Sequence, residues 1–177
     1  MALRKASSYS KRHVTPYTRK SAKKSKSYIK AIPPQKVVKL HMGDIHGYEN
    51  KKLNIVLKLQ SAEPVQIRDN AIEAARQYIH KELEENLAGQ YYFAVKIYPH
   101  NIVRENKMLT GAGADRMQTG MAHSFGVNIG RTAIVKENQD IFIVAVNSEK
   151  AMRITRTAFE RIKAKLPCST RILVEKR

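Results

Sequence analysis

The sequence lacks the features on which several classes of protein depend. Its 177 residues contain one cysteine, Cys168, so neither an intrachain disulfide nor a cysteine-based metal site is available. We expect Cys168 to be a small, partly buried apolar residue. No apolar run approaches the roughly 18 residues of a membrane-spanning helix, and the N-terminus lacks the apolar stretch of a secretory signal. These absences favour the reducing cytoplasm and no membrane partner, with a basic mitochondrial transit peptide as the alternative.

Acidic residues are scarce as well. The chain has 15 Asp and Glu against 33 Lys and Arg, which gives a formal net charge of +18. Solubility requires far less charge, so the excess indicates a polyanionic partner, nucleic acid before membrane. A globular part of this length buries enough surface for one core, so we expect one domain with an appendage.

The appendage is residues 1–30, which hold ten basic residues and no acid. Low hydrophobicity and charge repulsion predict an extended arm that becomes ordered on RNA, and a solvated tail without a partner is the alternative. Tyr17 supplies a ring that can stack on a base. The basic candidates for RNA contact in the arm are Arg4, Lys5, Lys11, Arg12, Arg19, Lys20, Lys23, Lys24 and Lys26.

Hydrophobic periodicity over residues 31–177 predicts the order β-β-α-β, a glycine-rich segment, then β-β-α-β. Helical spacing covers 69–87 and 149–166, and the strands are expected at 38–42, 53–60, 91–98, 127–135, 141–146 and 171–175. Hairpins available at both ends favour a mainly antiparallel sheet with both helices on one face. The predicted fold is a single α+β domain, a two-layer sandwich.

The two predicted helices differ in the charge of their outer faces. The second helix presents Arg153, Arg156 and Lys163 on one line, which we expect to contact RNA. The first presents acidic residues, which we expect to face away from RNA: Glu73, Glu82, Glu84 and Glu85.

The segment 99–131 contains five of the eight glycines, and no helical or strand period is sustained from 101 to 121. A long irregular loop inside a compact domain is usually functional or disordered, and we interpret this one as a functional RNA-contacting loop. Its basic residues are Arg104, Lys107, Arg116, His123 and Arg131.

The motifs give little support for nucleotide binding, metal binding or catalysis. The sequence GAGADR at 111–116 has Arg116 where a dinucleotide-binding turn needs its third glycine, and no Walker loop occurs. His41, Asp44 and His46 lie at a strand end and in a loop without the spacing of metal ligands on a helix. No nucleophile occurs in a recognisable catalytic signature. We therefore expect no cofactor, no metal and no enzyme activity.

The loop motifs are recognisable as a set: NKML at 106–109, AGADR at 112–116, QTGM at 118–121 and FG at 125–126. Together with Tyr17 and Ser21, EAAR at 73–76 and IYPH at 97–100, they closely resemble the archaeal and eukaryotic ribosomal protein family L-ten-e, the counterpart of bacterial L-sixteen. The resemblance covers essentially the full chain. Gly111 stands where eukaryotic members commonly carry Cys, and no long C-terminal extension is present, so an archaeal member is expected.

The resemblance implies more than the composition does. It implies a structural protein of the large ribosomal subunit that supports translation and binds rRNA near the A-site tRNA and the 5S rRNA region, beside neighbouring ribosomal proteins. The loop 102–115 would reach toward A-site and P-site tRNA near the peptidyl-transferase centre, and 116–131, with Arg116, His123 and Arg131, would fix its base on rRNA. The tRNA-proximal residues would be Arg104, Asn106, Lys107, Met108, Leu109, Gly111, Gly113 and Asp115.

Two alternatives stay open at this point. One is an enzyme that holds a nucleotide in the glycine-rich segment, and the other is an RNA-binding regulator that acts outside the ribosome.

Overall fold

Two antiparallel β-sheets and three α-helices make up the part of the chain that the structure describes. The structure is a computed structural model, and it describes residues 4–11, 16, 29, 32–106 and 126–176. In chain order the elements are β1 His41–Gly43, α1 Ile45–Glu49, β2 Ile55–Ser61, β3 Val65–Arg68, α2 Asp69–Leu87, β4 Tyr92–Val95, β5 Asn101–Glu105, β6 Val127–Val135, β7 Asp140–Val146, α3 Glu149–Ile162, a short 3-10 helix Lys163–Lys165, and β8 Thr170–Lys176.

The larger sheet has the strand order β1-β4-β7-β2-β8, and each neighbouring pair is antiparallel. Leu57 of β2 lies opposite Val144 of β7 on one side and Val174 of β8 on the other. Because side chains alternate along a strand, one face of this sheet presents a continuous apolar surface to α2 and α3. The opposite face has a smaller apolar cluster that includes Tyr92, against which Tyr48 of α1 packs.

The smaller sheet has the order β3-β6-β5, and both of its pairs are antiparallel. Ile67 of β3 lies opposite Ala133 of β6, and both side chains are buried in the main core. The other face is polar, yet it is also buried. Asn101 Nδ2 donates to Gln66 Oε1 at 2.9 Å and to Thr132 Oγ1 at 2.8 Å. This polar trio is tolerated inside the protein because its members satisfy one another's hydrogen-bonding groups.

Helices α2 and α3 pack side by side and share the main core, where α3 contacts β2 and β7 of the larger sheet and α2 contacts β3 and β6 of the smaller one. Helical spacing places Ile72, Ile79 and Leu83 of α2 on one buried face. Helix α3 begins after Ser148, whose hydroxyl accepts a backbone N–H of the first turn at 3.2 Å, and it buries Phe159 on the side facing the sheet.

The predicted α+β class, the antiparallel pairing and the position of both long helices on one face are confirmed. The first long helix spans 69–87 as predicted, whereas the second ends at 162 and continues as the 3-10 helix. The strands form two sheets rather than one, because β2 pairs with the distant β7 and β8 while β3 turns away to pair with β6. Cys168 is buried, as expected.

Five segments differ in detail from the sequence-based expectation. The periodicity does not predict β3, and the strands expected at 38–42 and 91–98 are the shorter β1 and β4. Residues 101–105 form β5, so the segment expected to be irregular begins with a regular strand, and residues 107–115 of the predicted loop lie outside the described residues. Within the expected arm, residues 6–9 form turns.

Candidate nucleic-acid interface

The predicted RNA-contacting residues fall into two groups. Most of those in the arm and the loop lie outside the described residues: Arg12, Tyr17, Arg19, Lys20, Lys23, Lys24, Lys26, Lys107, Met108, Leu109, Gly111, Gly113, Asp115, Arg116 and His123. The structure places the others on the outer face of α3, at the β5–β6 hairpin and in the first turn of the arm. They are Arg153, Arg156, Lys163, Arg104, Asn106, Arg131, Arg4, Lys5 and Lys11.

The outer face of α3 and the 3-10 helix after it carries the exposed side chains of Arg153, Arg156 and Lys163. Intervals of three and seven residues bring them to one side of the helix, opposite the buried Ala158. Arg156 has an acidic neighbour in Glu160, with 3.6 Å between Nε and Oε1, and both side chains are more than half exposed. An exposed pair of this kind is weak, so Arg156 can exchange Glu160 for a phosphate at little cost. We call these three residues the α3 basic face.

Three further basic residues near this face were not among the candidates. Arg161 Nη1 donates to Glu82 Oε1 at 3.1 Å and to Tyr78 Oη at 3.2 Å, and Lys165 Nζ lies 5.8 Å from the centre of the Tyr78 ring. Arg161 therefore joins α3 to α2 and balances the charge of Glu82, and Lys165 joins the 3-10 helix to α2. Lys150 is exposed and lies three residues before Arg153. This helical spacing would have identified it as a candidate for RNA contact.

Strands β5 and β6 form the hairpin that carries the predicted loop. Glu105, the last residue of β5, lies opposite Val127, the first residue of β6. Gly126 has φ of +108°, and a Cβ there would lie 2.7 Å from the carbonyl oxygen of Glu105, so the position requires glycine. The root of the loop is therefore closed tightly, and Arg104 and Asn106 lie half-buried at it.

Arg131 lies farther along β6, opposite Ile102. Its Nε donates to the carbonyl oxygen of Pro33 at 2.7 Å, which ties the start of the domain to the smaller sheet. Nearby, burial raises the pKa of the Asp69 carboxyl, and the charges of Lys36 and Arg131 act against that rise. Arg131 thus has a structural role in addition to its predicted RNA contact.

The first described residues of the arm fold back onto the smaller sheet. The carbonyl oxygen of Ser10 accepts the Gln66 N–H of β3 at 3.2 Å. Arg4 forms an ion pair with Glu105 at the loop root, a contact that charge counting along the arm did not suggest. Lys5 is exposed, as is Lys11, so these two remain the better candidates for phosphate contact in this segment.

The histidine-containing segment shows no arrangement for metal binding. His41 Nδ1 lies 2.8 Å from Tyr92 Oη, and the Asp44 carboxylate accepts the Gly47 N–H at 2.7 Å as the cap of α1. His46 is exposed. Across residues 32–106 and 126–176, as in the few others described, no three His, Cys, Asp or Glu side chains converge on one point. None of the described helices has the length and apolar character needed to cross a membrane.

A chain with a net charge of +18, an α+β domain and an exposed basic helix face has the features of an RNA-binding protein. Comparison with known proteins specifies the family. Residues 16–173 match the family described as ribosomal protein L16p/L10e. The chain belongs to this family, which confirms the resemblance drawn from the loop motifs.

Similar proteins span almost the whole chain. It is 40% identical over 176 residues to the large ribosomal subunit protein uL16 of Thermofilum pendens, covering 99% of this chain and 98% of the relative. The protein of the same name from Hyperthermus butylicus is 41% identical over 160 residues, 90% of this chain and 83% of its own. That of Methanococcus maripaludis is 38% identical over 180 residues, 99% and 96% of the two chains. These relatives are archaeal, in line with the expected archaeal member.

The family assignment gives the chain a structural role in the ribosome and not an enzymatic one. It therefore excludes the nucleotide-binding enzyme that the glycine-rich segment left open.

Proposed function

We propose that this chain is a structural constituent of the large ribosomal subunit that binds rRNA near the A-site tRNA and extends its loop 102–115 toward tRNA near the peptidyl-transferase centre. The names of its relatives support the subunit, and the motif resemblance supports the position within it. Residues 1–30 act as the RNA-binding arm of the single domain 31–177. The expected partners are large-subunit rRNA including the 5S region, A-site and P-site tRNA, and neighbouring ribosomal proteins, in the cytoplasm.

The anchoring of the loop root is the observation that carries this proposal. Ile102 and Val103 of β5 are 4% and 9% exposed, and they pair with β6 on the core. A segment that must present side chains to a distant RNA target needs a rigid support at its base. The hairpin supplies one, with Gly126 closing it against Glu105.

In this proposal the contacts to rRNA come from the α3 basic face, the arm and the segment 116–131. Exposed cations on a helix can neutralise phosphates, and such contacts fix position without reading sequence. The proposed phosphate-contacting residues are Lys5, Lys11, Arg12, Arg19, Lys20, Lys23, Lys24, Lys26, Arg116, His123, Arg131, Arg153, Arg156 and Lys163, with Tyr17 as a stacking residue.

Deletion of residues 107–115 tests the role of the loop. A deletion beginning at 102 would remove strand residues that are buried, so the cut must start beyond β5. We expect the shortened protein to fold and to stay with large subunits through a high-salt wash, because its rRNA contacts are intact. Accommodation of A-site tRNA on those subunits should be slower.

The matched control is Glu137→Gln, an exposed residue in the turn between β6 and β7, which should leave sedimentation and accommodation unchanged. Normal accommodation after the deletion would overturn the role of the loop. Loss of the intact chain from salt-washed subunits would instead favour a regulator outside the ribosome.

A further inference from the structure

Residues 4–10 form a turn that is held on the edge strand of the smaller sheet. Arg68 of β3 donates from Nη2 to the carbonyl oxygens of Arg4 at 2.8 Å and Lys5 at 3.1 Å. The other end of the turn is held by the Gln66 N–H, which donates to the carbonyl of Ser10 at 3.2 Å. Arg68 is 9% exposed, so its guanidinium is a buried donor rather than a surface charge.

The side chains of this turn reach the root of the loop. The Arg4 guanidinium pairs with the Glu105 carboxylate and lies 5.7 Å from the centre of the Tyr9 ring. The Tyr9 side chain is also hydrogen-bonded to Glu105, and partial burial together with this bond raises the pKa of the phenol. We call Arg4, Tyr9, Arg68 and Glu105 the N-terminal clasp.

The clasp completes the anchoring of β5. At the start of the strand, Asn101 is fixed in the buried trio with Gln66 and Thr132. At its end, Glu105 is held by Arg4 and Tyr9, next to the departure of the loop. Both ends of β5 are therefore tied to other parts of the chain in addition to its pairing with β6.

Charge gives the Arg4–Glu105 contact a second consequence. Glu105 is one of only two acidic residues between 99 and 131, and its side chain is 21% exposed. A carboxylate at the root of a loop that approaches RNA would repel phosphates if it were unbalanced. Pairing with Arg4 cancels that charge and at the same time occupies the guanidinium.

We propose that Arg4, Tyr9 and Arg68 are positioning residues that act through Glu105, so that the N-terminal arm holds the root of the loop in place. The inference rests on the proposed function of the loop, and it gives Arg4 a different role from the rRNA contact expected from the sequence. The position of the arm and the position of the loop root are then coupled through the contacts of Glu105 with Arg4 and Tyr9.

Hydrogen exchange of the free, full-length protein tests the clasp without RNA. Arg4→Gln and Glu105→Gln should each raise amide exchange in 101–105 and 127–131 about fivefold, the effect of losing an exposed ion pair at the upper end of its usual range. The double variant should exchange no faster than Glu105→Gln alone, because that change already breaks the Arg4–Glu105 ion pair. Exchange in β2, an interior strand of the larger sheet, should stay at its original rate, which shows that the variants fold.

Lys5→Gln is the matched control, since it removes one positive charge from the neighbouring exposed residue. It should leave exchange in β5 and β6 unchanged. The clasp is overturned if Arg4→Gln and Glu105→Gln leave these strands as protected as before, or if Lys5→Gln loosens them equally.

A second measurement separates this inference from the proposed function. Large subunits carrying Arg4→Gln should accommodate A-site tRNA more slowly while retaining the protein through a salt wash. Faster exchange with normal accommodation would leave the clasp standing and overturn the role of the loop in tRNA accommodation.

Discussion

Glu73 and Arg76 on α2 form a buried charge pair on the side of the helix that faces the start of the domain. Their side chains are 11% and 8% exposed, and two hydrogen bonds of 2.8 and 2.5 Å join them. Burial acts to raise the pKa of Glu73, but the bonds from Arg76 and Gln77 outweigh it and lower the pKa. Glu73 also accepts the Val38 N–H at 3.4 Å, so the pair links α2 to the segment before β1.

We predict that Arg76→Met lowers the free energy of unfolding by about 3–5 kcal/mol, because it leaves the Glu73 carboxylate buried without its partner. Urea unfolding of the purified chain measures this as a lower midpoint at unchanged slope. Arg153→Met, at an exposed site on α3, is the control and should change the midpoint little. An equal midpoint for Arg76→Met and the original chain would contradict the prediction.

At the scale of elements, the sequence predicts long amphipathic segments well and short buried ones poorly. The apolar spacing over 19 residues predicts helix α2. Glu73, however, is expected on the exposed face and is buried with Arg76. Strand β5 was not predicted because Ile102 and Val103 are adjacent and both buried, and Asn101 is satisfied by residues distant in sequence. Apolar and polar residues alternate along a strand only where one of its faces is exposed to solvent.

The α3 basic face provides the prediction at this scale. Replacing Arg153, Arg156 and Lys163 with Gln should weaken binding to large-subunit rRNA and reduce the slope of log affinity against log salt by about 3, roughly one for each phosphate contact. Fluorescence titration of an rRNA fragment at several salt concentrations measures both. The same charge change placed elsewhere, as Lys81→Gln, Lys96→Gln and Lys136→Gln, is the control. Equal losses from the two variants would mean that net charge rather than this face determines binding.

At the scale of the whole molecule, the two-sheet topology determines which parts of the candidate interface can be predicted from the sequence. The α3 basic face was predictable because its residues lie on one helix and their spacing is local. The clasp was not, because Arg4 and Glu105 are 101 residues apart and meet only when β5 pairs with β6 and the arm folds onto β3. Charge patterns within one helix predict a charged surface, whereas contacts between distant segments can be predicted only when the topology is known.

The arm provides the prediction for the whole chain. Ten of the basic residues lie in 1–30, and the turn at 4–10 fixes where the rest of the arm begins on the domain. If six arm cations contact phosphates, rRNA affinity should fall about a thousandfold between 50 and 200 mM salt. Changing the seven arginines and lysines of 12–30 to Gln keeps the clasp intact and should flatten this dependence. A salt dependence equal to that of the original chain would mean that the arm is a solvated tail, and the α3 basic face would then have to supply most of the phosphate contacts.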